Sequence, residues 1–337
     1  MKLKKRHHSL KNNGIILFFL SIQLACTNVS KPTQADLNFE VQTEGVQIFG
    51  PNLVSTHMAE RDAALSPSGD EFYYTISSYI NQVIVFTRKS ANGWTEPQVA
   101  TFSGVYSDLE PHFSPDGNRL YFASNRPLDE GGETKDFDIW YVDRKDRGWS
   151  EPVNIGKPIN TEANEFYPSL TNSGTLYWCS IRNDGIGTGG EDIYYSTLEN
   201  GKYKTVNALS GSINTSKDEF NAYVARDESY IIFTSSGWGQ GMGSGDLWIS
   251  FKQPNGQWTK ARNMGEGINS PSFEFCPFVS DCGNYLFFTS NRINKSSIRH
   301  PITYNQILNF SLTPGNKQNN IYIMDASIIS ELRQKIF

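Results

Sequence analysis

Cysteine is scarce, and the long apolar helix is missing altogether. The 337-residue chain has four cysteines and five histidines, and no spacing among them suits a zinc site. Cys276 and Cys282 are expected in one strand and the turn after it, about 20 Å apart if extended. A disulfide needs Cα atoms within about 7 Å, so these thiols and Cys179 are expected to be buried and structural. No ten-residue stretch carries a 3.6-residue apolar period, which excludes a helical domain. The longest apolar run, GIILFFLSIQLA at 14–25, is too short to span a bilayer stably. No Gly-x-x-x-x-Gly-Lys-Ser/Thr loop is present to cradle a phosphate. The formal charge is −5, from 30 basic and 35 acidic residues, and basic residues cluster at the N-terminus. An acidic remainder excludes nucleic acid and anionic membrane surfaces as partners.

What the chain does have is a repeat. EPHFSPDGNRLYFASNR at 110–126 returns as EFYPSLTNSGTLYWCSIR from 165, EFNAYVARDESYIIFTSSG from 219 and EFCPFVSDCGNYLFFTSNR from 274. A weaker copy, ERDAALSPSGDEFYYTISS, starts at 60, so the opening glutamates lie 50, 55, 54 and 55 residues apart. Such a period marks units that bury their apolar faces only against neighbours. Within each unit, two aromatic-rich runs flank a tight turn such as Ser-Pro115-Asp-Gly117. A Gly-rich loop follows, then a third run (FDIWYV, EDIYYS, GDLWIS), then a fourth carrying Pro97 or Pro152. Proline lacks the ladder donor, so the fourth strand is the exposed edge. The reading is an all-β fold: a β-propeller of four-stranded antiparallel blades, strands A to D from the inside out. Five blades are expected, with six as the alternative. The last repeat ends after NIYIMDAS without a fourth strand, and residues 45–55, GVQIFGPNLVS, match the missing piece. They are expected to close the ring on the last blade. The domain plan is therefore 1–26 signal segment, 27–44 polar tether, 45–327 propeller and 328–337 C-terminal tail.

The pattern S-P-D-G-x-x-L-Y-F-x-S-x-R, with its Gly-rich loop and Asp-Ile-Trp/Tyr, resembles the WD40-like β-propeller repeat of TolB and related bacterial envelope proteins. It covers roughly residues 45–327 and implies an architecture more than a function. Lys2, Lys4, Lys5 and Arg6, the apolar run and Leu24-Ala25-Cys26 resemble a bacterial lipoprotein signal, with Gln23 departing from the pattern. This implies lipidation at Cys26, localisation in the bacterial cell envelope, and membrane contact only through that anchor.

Antiparallel geometry puts the start of strand A and the end of strand B on one face, with the B–C loops. Glu110 with Arg126, Glu165 with Arg182, and Glu274 with Arg292 are read as braces within their blades. Asp138, Asp192 and Asp246, just before strand C, are read as acceptors for loop backbone N–H groups. Glu60 and Glu219 have no such arginine and are candidates for the central mouth. Trp238, which lies outside the repeat, and the long loop at 293–319 with His300 and Tyr304 complete the candidate contact surface. No catalytic residue, metal ligand or cofactor is assigned. The expected function is a non-catalytic, monomeric envelope lipoprotein that binds a protein or a glycan. The competing class is a glycoside hydrolase with carboxylates at the mouth, which needs two of them about 5–9.5 Å apart. The Ser-x-Asp-x-Gly-x-Thr-Trp box of sialidases is absent, and so is the Gly-x-Ser-x-Gly of peptidase-linked propellers.

Overall fold

The computed structural model describes residues 45–129, 131–182, 185, 190–294 and 300–337. The signal, the tether and Cys26 lie outside these residues. The chain forms five blades. In blade 1, strands A to C are Ala59–Leu65, Glu71–Ser77 and Gln82–Ser90, with Gln98–Val99 outermost. Blade 2 is Asp108–Phe113, Arg119–Ser124, Asp138–Asp143 and Val153–Asn154. Blade 3 is Glu165–Leu170, Leu176–Ser180, Asp192–Ser196 and Asn207–Ala208. Blade 4 is Asp218–Val224, Tyr230–Ser236, Asp246–Phe251 and Arg262–Asn263. Blade 5 is Glu274–Val279, Tyr285–Ser290 and Asn320–Asp325, and its fourth strand is Gln47–Ile48. The N-terminal strand closes the ring, with Gln47 opposite Ile323 and Ile48 opposite Tyr322.

The cores lie between blades because each sheet has two apolar faces and no helix layer to cover them. Tyr73, Ile84 and Phe86 of blade 1 pack on Phe113, Leu120 and Trp140 of blade 2. The largest cluster joins blades 4, 5 and 1, and the closing segment adds Phe49, Leu53 and Val54 to it. The helix Ser327–Gln334 packs Ile329 on the same cluster. A second helix, Tyr304–Ser311, rises from the B–C loop of blade 5 on a Thr303/Gln306 capping box and buries none of its residues.

A short phrase that the sequence reading passed over, Ile-Asn-Thr/Ser, recurs at 159–161, 213–215 and 268–270. Asn160, Asn214 and Asn269 each bond both backbone groups of one strand C residue: Ile139, Ile193 and Leu247. The Thr or Ser that follows bonds the opening glutamate of the next blade. Three blade seams are stitched in this way.

Every strand A carries a bulge at its second or third residue pair. The bulged residues are Asp62, Glu110, Tyr167, Asn221 and Cys276, all with φ between 47° and 65°. Left-handed backbone is costly for such residues. It recurs five times because the bulge turns these side chains out of the ladder and toward the axis, where they meet one another.

Candidate functional site

The acid that opens strand A serves its own blade. Glu165, Glu219 and Glu274 lie opposite Ser180, Ser235 and Ser290, and each accepts that serine's hydroxyl. Each also accepts the hydroxyl and the backbone N–H of the residue four before it: Thr161, Thr215 and Ser270. In blade 5, Arg292 Nη2 lies 3.1 Å from Glu274. Arg182 donates to the Pro158 carbonyl and lies over the ring of Tyr194.

Blade 2 differs from the sequence reading. Arg126 bonds Asp108, not Glu110, at 2.6 Å, and Asp108 accepts from Ser124. Asp108 therefore holds the brace position and Glu110 belongs to the bulge. Spacing carried the signal: Asp108 precedes its serine and arginine by 16 and 18 residues, as Glu274 does.

Blade 4 has Gly237 where an arginine stands elsewhere, and Trp238 fills the place. Its indole Nε1 donates to Glu219 at 2.6 Å, and its ring packs on Trp248 and Phe233 at 4.4 and 6.0 Å. Arg126 likewise lies on Phe122 and Trp140, and Arg292 on Phe288 and Tyr322. Glu219 and Trp238 are thus committed to each other. Glu60 is buried and accepts from Thr56 and from Asn320 of blade 5. His300 and Tyr304 are exposed on the blade 5 loop and do not line the central pocket.

Asp138, Asp192 and Asp246 are buried at the start of strand C. Asp246 accepts from the backbone of Met242 at 2.7 Å, whereas Asp138 takes Lys135 and Asn154 side chains at 2.7 and 2.8 Å. Each faces the opening glutamate of the next blade across the seam. Burial, with the charge of Asp138, pushes Glu165 up to about 7 despite the Thr161 hydrogen bonds. Glu219 and Asp246 are shifted upward by burial and by the carboxyl across their seams.

The five bulged residues form a hub. Glu110 of blade 2 accepts from Arg61 of blade 1 at 2.6 Å, from Asn221 of blade 4 at 3.0 Å and from the backbone of Tyr167 of blade 3 at 2.7 Å. Arg61 also bonds Asp62 and the Cys276 thiol of blade 5, and the Tyr167 hydroxyl bonds the Pro277 carbonyl. All five blades meet through these groups. Burial pushes the Glu110 carboxyl up, against the pull of Arg61. Asp62, Glu110 and Cys276 could offer three ligand atoms to a metal, as could Asp136, Asp138 and Glu165. A protein cation already lies in each group: Arg61 in the first and Lys135 in the second. Cys276 in the hub and Cys179 beside it are buried free thiols, whereas Cys282 is exposed on its turn and not buried as expected.

Beyond the hub, Arg226 closes the far end of the axis. From blade 4 it donates to the carbonyls of Phe113 and Leu170 and pairs with Asp281, contacting blades 2, 3 and 5. It also lies 3.2 Å from Nε2 of His112, which accepts the N–H of Leu170. Burial and Arg226 hold His112 well below its usual pKa, so it is neutral.

On the other side of the hub is a cup of about 310 Å³, open on the face of the B–C loops. Arg61, Leu109, Phe166, Phe220 and Phe275, each one residue before a bulge, ring it. Phe137, Phe273 and Glu191 reach in from the loops above, Gln82 from the start of strand C in blade 1, and Glu110 and Asn221 of the hub complete the lining. The phenylalanines touch in pairs, Phe137 with Phe166 at 5.0 Å and Phe273 with Phe275 at 4.9 Å. Glu191 has no side-chain hydrogen bond among the described residues, and its backbone N–H goes to Asp218. Burial and Asp218 push its carboxyl up to about 7, with Arg61 opposing. The sequence reading missed this ring although each member directly follows the opening acid of its strand, three of them as Glu-Phe, because attention went to the acids and the bulge that turns the next residue was not foreseen.

The cup limits the chemistry available. Asp62 and Glu110 have their oxygens taken by Arg61, Asn221 and backbone N–H groups. Glu191 is left as the one carboxyl in the cup without such partners among the described residues.

No family model and no curated protein matches the sequence. Solved structures share the propeller. A TolB-like protein from Agrobacterium tumefaciens is 16% identical, with 80% of this chain and 90% of that chain covered and a TM-score of 0.46. TolB from Acinetobacter baumannii is 13% identical at a TM-score of 0.44, with 79% of this chain covered and only 54% of that one. A glycoside hydrolase is 10% identical, with 85% and 92% covered, at a TM-score of 0.52. At these identities the likeness is one of fold. Among the described residues no helix is long and apolar enough to cross a membrane.

Proposed function

We propose that this propeller is a non-catalytic binding module of the bacterial cell envelope, tethered by a lipidated Cys26, that docks a protein partner on the face around its cup. One observation carries the reading: exposed large apolar side chains concentrate on that face. Tyr79 and Ile80 project from the B–C loop of blade 1, Leu128 from that of blade 2 and Ile181 from that of blade 3. Ile307 and Leu312 project from the blade 5 helix and its end. Such a crown around a concave centre marks an interaction surface. Most of it is aliphatic, with Tyr79 and Tyr304 as the aromatic members, which suits a protein better than a glycan. The resemblance of the repeat and of the leader to envelope lipoproteins supports the location.

A second reading, glycoside hydrolysis, draws support from Glu191, whose raised carboxyl would suit a general acid. It lacks a partner carboxylate with oxygens to spare. The two readings separate in one study. A photo-crosslinking residue at Ile80 or Ile307 should capture a discrete species in intact cells, and one at Val153, on the outer strand of blade 2, should not. Equal yields at all three positions would overturn the docking face. Turnover of any member of a chromogenic glycoside panel, lost in Glu191→Gln, would install the hydrolase.

A further inference from the structure

We infer that the cup receives a lysine or arginine side chain of a protein segment docked on the surrounding face. The inference rests on the docking reading for its source and on the cup alone for its chemistry. Five phenylalanines present ring faces and edges to a space at the low end of ligand pockets, which run about 300–1,000 Å³, so one side chain fills it. Aromatic faces attract cations, most strongly where water is excluded. The cup contains its own precedent: the Arg61 guanidinium lies 5.1 Å from the centre of the Phe275 ring while bonded to Asp62 and Glu110. A second cation would find the same two elements, rings and a carboxylate, on the other side of the cup. Glu191 supplies the carboxylate. It is half-buried, beside Asp218, with no donor on its oxygens among the described residues.

Other occupants fit less well. An apolar group would seal Glu191 away from water with no partner among the described residues, a costly arrangement for a carboxylate. A sugar ring needs several hydrogen-bonding groups around it. Arg61, Glu110 and Asn221 are already bonded to one another, which leaves Gln82 and Glu191. Apart from Glu110, which the hub already bonds, a metal ion would find one carboxylate among phenylalanines, which offer no ligand atoms. A cation on a flexible stem satisfies both halves of the site, because the methylenes lie along the rings and the charged head meets Glu191.

The test uses the mature protein and four capped pentapeptides, acetyl-Gly-Gly-X-Gly-Gly-amide, with X as lysine, arginine, citrulline or norleucine. Binding is read by saturation-transfer NMR. The lysine and arginine peptides should receive saturation at X, and the citrulline and norleucine peptides should not. Glu191→Gln should weaken the cationic peptides by about tenfold or more, since it removes the charge and keeps the shape. Phe220→Leu, which keeps an apolar side chain without the ring, should weaken them as well. Melting curves of both variants guard against loss of the fold. Equal binding of the citrulline peptide, unchanged binding in Glu191→Gln, or displacement of the cationic peptides by xylo-oligosaccharide would each overturn the inference. Crosslinks absent from the crown while the peptides still bind would sink the docking face and leave the cationic cup standing. Crosslinks present with no peptide binding would do the reverse.

Discussion

Trp238 and Glu110 show how a repeat position changes meaning with one neighbour. Trp238 supplies a hydrogen bond and a stacked ring where other blades use arginine. Trp238→Phe keeps the stacking and takes one hydrogen bond from buried Glu219, leaving those from Thr215 and Ser235, so it should cost about 1–3 kcal/mol in denaturant unfolding. Trp238→Arg should cost less, because a guanidinium can reach the same carboxylate. Equal costs would mean that the indole N–H contributes nothing. Glu110 has a larger role. Glu110→Gln would leave Arg61 with Asp62 as its remaining carboxylate, beside the Cys276 thiol, in a buried hub, and breaking such a pair typically costs about 3–5 kcal/mol. Pairing that change with Arg61→Met should recover part of the loss. If the double variant is no more stable than Glu110→Gln alone, the hub is not held by this ion pair.

At the scale of strands and loops, most of the architecture was legible. Turn chemistry, the third-strand Asp-Ile-Trp/Tyr and the missing fourth strand of the last repeat sufficed for five blades and their closure. Deleting residues 45–49 removes Gln47–Ile48 and buried Phe49, exposing the edge of Asn320–Asp325 and the cluster between blades 4, 5 and 1. The variant should aggregate or lose cooperative melting; unchanged melting would mean that the ring closes otherwise. The bulges were not legible. A bulge shifts the register by one residue without altering composition, so Glu110 was read as the brace that Asp108 supplies. The cup was hidden for a related reason. Its ring takes from each blade the residue after the opening acid, Arg61, Leu109, Phe166, Phe220 and Phe275, and that these five converge on the axis depends on the bulge that follows them.

At the scale of the whole ring, the seams carry a pH signature. The Glu165 carboxyl sits near 7 in the folded state against an ordinary 4.5, so between those values the native protein holds a proton that the unfolded chain releases. Stability from this group is full below about pH 4.5 and declines as pH rises toward 7. Glu60, Glu219 and Asp246 are shifted the same way. Asp70 and Asp116, with lowered values, lose their contribution only in stronger acid. The melting temperature should therefore be higher at pH 5 than at pH 7.5, and Glu165→Gln should flatten the difference. A melting temperature that rises over that interval would show these carboxyls to be ionised throughout.

The strand that closes the ring has a consequence for how the molecule is made. Gln47 pairs with Ile323, so the first strand of the propeller to leave the ribosome is the last to find its place. Blades 1 to 4 can form in order as their sequences emerge, each against the one before. The fifth must wait for almost the whole chain, and the ends must then find each other across the longest loop the protein contains, a slow class of contact. Until that moment the apolar flanks of blades 1 and 5 stand open, and the nascent chain is an arc rather than a ring.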